Sequence, residues 1–99
     1  MASYTHTNLA DLQDAGPGLG LSEWQEWRFA TAELGAERTG VAYHCIRPNT
    51  RQGFAHRHEQ AEEIYVLLGG SGRVKLDDDI VDLRPLDAVR IAPDVLRTW

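Results

Sequence analysis

The stretch HRHEQAEEIYVLLGGSG, residues 56–72, decides how this chain is read. IYVLL is rich in β-branched and aromatic residues and is closed by glycines, which marks a strand ending in a turn. It is apolar at both alternating positions, so the strand is expected to be covered on both faces. Just before it stand His56, His58, Glu62 and Glu63. On extended backbone, His56 and His58 project from one face about 6.5–7 Å apart. Two imidazole nitrogens at that spacing can converge on one ion at about 2.0–2.1 Å each. A carboxylate at the start of the strand supplies a third, harder ligand, and the set suits Zn, Fe(II), Mn or Ni. An inward-facing carboxylate there needs a charge partner in any case, because an unpaired buried charge costs several kcal/mol.

Working outward, the same β signal recurs. EWRFATAEL (26–34), VAYHCIR (41–47), FAHRH (54–58), EIYVLL (63–68), RVKL (73–76), IVDL (80–83) and AVRIA (88–92) read as seven short strands. Turns rich in Gly, Pro, Asn and Asp separate them. That rhythm is the signature of an all-β sandwich or barrel, and no helical period intervenes to suggest an α/β fold. Residues 1–21 read as an N-terminal arm, with a short helix over TNLADLQDA capped by Thr7 or Asn8. AGPGLGL then breaks regular structure. Residues 22–99 form the β-domain. Its last strand leaves an open edge, so the sheet is expected to be completed by a second subunit or by further chain.

Composition narrows the function classes. Ninety-nine residues suit one domain, and a hydrophobic share of 42% is that of a soluble globular protein. Ten Lys and Arg against fifteen Asp and Glu give a formal charge of -5. With no basic run, neither nucleic acid nor an anionic membrane is an expected partner. The lone Cys45 excludes an intrachain disulfide. The N-terminus lacks the regions of a signal peptide, and IYVLL is far shorter than the roughly 20 residues of a bilayer span. A cytoplasmic protein is expected. Cys45 reads as a small buried hydrophobe, Trp24, Trp27 and Phe29 as core or subunit-contact residues, and DDD (77–79) as a solvated turn.

Residues 56–72 resemble the first motif of the cupin superfamily, His-x-His, three or four residues, Glu, six residues, Gly. The resemblance continues through RVKLDDDIVDLRPLDAVRIAPDV and covers about residues 41–99. It implies a double-stranded antiparallel β-barrel, a jelly roll, whose open C-terminal edge is the one expected to be completed by a second subunit or by further chain. It also implies one divalent metal ion (Fe, Mn, Ni or Zn) held inside. Both Glu62 and Glu63 satisfy the spacing to a glycine. The GSG at 70–72 matches the family's closing Gly-x-Gly and selects Glu63, with Tyr65 and Leu67 on its face and Glu62 turned outward. His56, His58 and Glu63 are therefore the expected metal ligands.

The second motif departs from the family. Leu86-Asp87 stands for Gly-Asp, residues 92–94 (APD) stand for Pro-Pro-Gly, and Arg97 occupies the place of a fourth-ligand histidine. Arginine is permanently cationic and does not coordinate metal. Four arrangements are open. The centre keeps three ligands with open positions; Arg97 grips an anionic substrate beside Tyr65; Arg97 pairs with Glu63 in a site without metal; or the strand end frays into water. The expected function is a homodimeric cupin that binds a divalent metal and a small molecule, as an oxygenase, isomerase or lyase. The alternative is a non-catalytic binding or sensing module without metal.

Overall fold

In the computed structural model, which describes residues 3–50 and 55–99, the strands pair antiparallel throughout and helix is confined to short turns. It divides into two compact units, Met1–Thr50 and Arg51–Trp99. Residues 51–53, in the turn expected between VAYHCIR and FAHRH, and Phe54 of the expected FAHRH strand lie outside the described residues.

In the first unit, β1 (Gln25–Phe29) pairs with β2 (Ala42–Ile46), with Trp27 opposite His44 and Phe29 opposite Ala42. The expected strand 26–34 stops at Phe29. The helix formers in TAEL instead make one turn of helix, α1 (Thr31–Leu34), closed by Gly35 in the left-handed conformation. The leader lies along β1. Asp14 Oδ1 accepts from Gly16 N at 2.8 Å and Trp27 N at 2.9 Å, and Ala15 N donates to Trp27 O at 2.7 Å. A side chain at Gly16 would meet the Gln25 carbonyl at 2.8 Å, so glycine permits this approach. Asn8 caps a 3-10 turn at Leu9–Asp11, and a second such turn, Pro17–Leu19, lies within the segment expected to be irregular.

In the second unit, β3 (Glu63–Val66) pairs with β6 (Ala88–Ile91), setting Glu63 opposite Ile91 and Tyr65 opposite Val89. The hairpin of β4 (Gly72–Leu76) and β5 (Asp79–Leu83) turns through Asp77, whose φ is 53°. A two-residue strand, β7 (Arg97–Thr98), pairs with β4 and places Arg97 opposite Leu76. On its other side, Arg97 makes an isolated antiparallel bridge with His56. FAHRH is thus no ladder strand among the described residues; it meets residues 93–97 through this bridge and through His58 N, which donates to Pro93 O at 2.8 Å. The β-ladders form three separate sheets of two, two and three strands, and no closed barrel ladder is present among the described residues.

A turn over residues 84–87 brings β6 beside β3. Pro85 sits at its second position, Asp87 N donates to Arg84 O at 3.0 Å, and Leu86 takes φ 71° at its third, the type II arrangement in which glycine is usual.

Contrary to the expectation that β3 is covered on both sides, it is one-sided. Ile64, Val66 and Leu68 are 65%, 52% and 69% exposed, while Glu63, Tyr65 and Leu67 on the alternate positions are half-buried. The apolar run measured β-propensity and not burial, and an antiparallel pair tolerates one solvated face. Cys45 is likewise exposed and not a core residue, because it shares the outward face of β2 opposite Glu26. Trp24 and Phe29 are partly exposed as well.

Ile91 is almost fully buried, whereas Ile64 is 65% exposed. Ile91→Ala is therefore expected to destabilise the protein by about 3 kcal/mol. Ile64→Ala is expected to change stability by no more than about 0.5 kcal/mol. Urea unfolding of the two variants checks the contrast, and equal losses would mean that the two faces of the β3–β6 pair do not differ in burial as described.

Candidate metal centre

Glu63 opens β3 on its inner face, so its carboxylate points back over the segment that carries the two histidines. His58 Nε2 lies 2.5 Å from Glu63 Oε1 and His56 Nε2 lies 3.5 Å from the same oxygen. The imidazole rings meet edge to face at 5.2 Å between centroids. One candidate donor atom from each of the three residues falls within a span of 4.8 Å. That convergence suits a dication held by two imidazoles and one carboxylate. Glu62 points the other way, exposed and paired with Arg90 at 3.2 Å.

Arg97 has no exposed surface at all. Its Nη1 donates to Glu63 Oε1 at 2.7 Å. Nε donates to Val95 O at 3.1 Å, and Nη2 reaches the carbonyls of Ala92, Pro93 and Val95 at 2.8, 3.0 and 3.0 Å. The frayed, solvated arrangement is overturned: β7 and the bridge to His56 hold this residue from both sides. The guanidinium is spent on Glu63 and on backbone carbonyls, so the grip on an anionic substrate expected of Arg97 is not what its donors do here.

Burial pushes the Glu63 carboxyl up, but the hydrogen bond from His58 and the charge of Arg97 outweigh it and hold the group below its ordinary value. Tyr65, two residues along the same face, packs edge to face against Trp99 at 5.3 Å. Burial, and then the neighbouring Glu63 charge, push its phenol far up, so it stays protonated at neutral pH and can only donate or accept hydrogen bonds as a neutral group.

A solved structure of a cupin protein from Bacteroides fragilis is similar to 99% of this chain and 72% of its own, with 27% identity and a TM-score of 0.64. The chain carries a cupin domain. No protein-family profile matches it, and no curated protein does. In this cupin domain the His-x-His and Glu63 of the first motif come together, while the second motif delivers a guanidinium to the same carboxylate.

A surface cleft of about 490 Å³, lined by Ala55, Lys75, Asp77, Asp78, Leu96 and Thr98, includes none of the three candidate ligands. Sequence reasoning missed β7, since RT between a turn and a final Trp carries no strand pattern. The signal that could have found it is charge: a lone Arg near Glu63 on the inner face is the partner that carboxylate requires. Among the described residues, no helix is long and apolar enough to cross a membrane.

Because the folded-state value of Glu63 is depressed, its contribution to stability is present above the ordinary glutamate value of 4.5 and is lost as pH falls through the folded value. Glu63→Gln is expected to be less stable than the parent at neutral pH, with the gap narrowing below pH 4.5. Urea midpoints across that range check it; a gap that persists unchanged into acid would show that the carboxylate charge is not what stabilises the site.

Proposed function

We propose that this cupin domain binds one divalent metal through His56, His58 and Glu63 and presents it to a small-molecule ligand. The observation that carries this reading is the convergence of three donor atoms within 4.8 Å. Arg97 donates to the carboxylate from the interior, and Tyr65 lies beside it on the same face as a neutral phenol. When bound, a metal with three protein ligands supplies Lewis acidity at its open positions. The chain's part is to hold Glu63 in place, keep both Nε2 atoms turned toward it, and offer the Tyr65 hydroxyl for orienting a ligand. A metal-dependent oxygenase, isomerase or lyase acting on a small polar molecule is the enzymatic form of this reading.

One observation favours a second reading, a metal-free binding or sensing module: the oxygen that would ligate the metal already accepts from His58 and Arg97.

We extend the proposal to a cytoplasmic homodimer, for which the lone Cys45 and the exposed face of Ile64, Val66 and Leu68 are the support. A monomer at all concentrations in sedimentation equilibrium would overturn the dimer.

Elemental analysis of protein prepared without a metal-chelating tag tests the metal. The parent is expected to carry about one metal per chain, in line with a single three-ligand centre, and His56→Ala, His58→Ala none. An equal content in both would place any bound metal elsewhere. No metal in the parent, even after adding Fe(II), Mn, Ni or Zn at neutral pH, would favour the metal-free module.

A further inference from the structure

Position 97 is tied to the candidate centre by backbone and by charge. His56 N donates to Arg97 O at 3.1 Å and Arg97 N donates to His56 O at 2.9 Å. Residues that exchange hydrogen bonds this way sit directly opposite each other and carry their side chains on one face, about 5 Å apart. Whatever side chain stands at 97 is therefore delivered to the site of His56. Here it brings a guanidinium 2.7 Å from Glu63 Oε1, an oxygen that also lies 2.5 Å from His58 Nε2 and 3.5 Å from His56 Nε2.

With both imidazoles in the unprotonated form that metal binding requires, they sum with one carboxylate and one guanidinium to zero charge. A dication entering the group meets no net negative charge and has a fixed positive charge as a near neighbour. Solvent screens such a repulsion poorly around a side chain with no exposed surface. The cation cannot be relieved by losing a proton. Nor is it free to swing away, since Nε and Nη2 are held by the carbonyls of Ala92, Pro93 and Val95.

We propose that Arg97 competes with a divalent metal for Glu63, so that the residue at position 97 sets how tightly the His56, His58 and Glu63 group holds its ion. The proposal rests on the metal reading above and deepens it: the ion is held less tightly than the same three ligands would hold it without Arg97. Arg97 acts through Glu63 and touches neither metal nor ligand, so it is a positioning residue with an electrostatic effect.

The test is Zn²⁺ binding by titration calorimetry at neutral pH, with Zn²⁺ alone as the probe. The full-length parent is compared with Arg97→Gln and Arg97→Met, each first checked for folding by circular dichroism. Neither variant adds a ligand, and both remove the cation. Binding is expected to tighten about tenfold or more in each. Equal or weaker binding by a folded variant overturns the proposal, because an arginine that only braced Glu63 from behind would lower affinity when removed. Zn²⁺ binding by the variants with none by the parent supports the competition while overturning a resident metal in the natural chain. No binding by the parent or by folded variants overturns both. If neither variant folds, the parent's own guanidinium decides. Its Nη1 protons, followed by NMR, are expected to exchange faster with water at saturating Zn²⁺, and unchanged exchange overturns the proposal.

Discussion

The contact between the Arg97 guanidinium and the Glu63 carboxylate is the constraint on which the second unit is built. A cation with no exposed surface carries a desolvation penalty of several kcal/mol, and removing the partner of such a charge typically costs about 3–5 kcal/mol. Here the penalty is offset by one carboxylate and by the carbonyls of Ala92, Pro93 and Val95. The same side chain therefore connects the start of β3, the turn after β6 and the short β7. His56 joins this arrangement through its backbone and His58 through its ring. The register of the two histidines against Glu63 follows from that arrangement.

The arrangement that shapes the site also limits its chemistry. Glu63 is the group on which donors converge from three directions, and a carboxylate oxygen has a finite number of lone pairs to offer. A cupin domain with this second motif is thus a charge-balanced variant of the architecture. The fold resembles that of the Bacteroides fragilis cupin protein, and within it the side chain at 97 sits against the His56, His58 and Glu63 group.

Much of this was legible in the residues. The β-class, most strand positions and the pairing of His56, His58 and Glu63 follow from alternation and spacing, which act over a few residues. The choice of Glu63 over Glu62 came from the family resemblance, through the GSG at 70–72, and the exposed Glu62–Arg90 pair agrees with it. What was not legible depends on contacts distant in sequence. The exposure of Ile64, Val66 and Leu68 could not be read from an apolar run, because β-propensity and burial use the same residue types. The helical turn at α1 is the exception, since TAEL and the closing Gly35 are local signals that the strand reading of 26–34 passed over. β7 exists because its two residues find β4 and His56, not because of any pattern of their own.

Two of the departures in the second motif, the turn that begins at residues 92–94 and Arg97, are one structural fact. The turn directs three carbonyls inward, and the forked side chain of arginine is what meets them. In the language of sequence change, the two sites are epistatic. An imidazole at 97 would leave most of those carbonyls without donors unless the turn had altered as well. Exchange between a guanidinium-bearing and an imidazole-bearing form of this domain therefore requires a block of substitutions, and the order in which they are acquired is restricted.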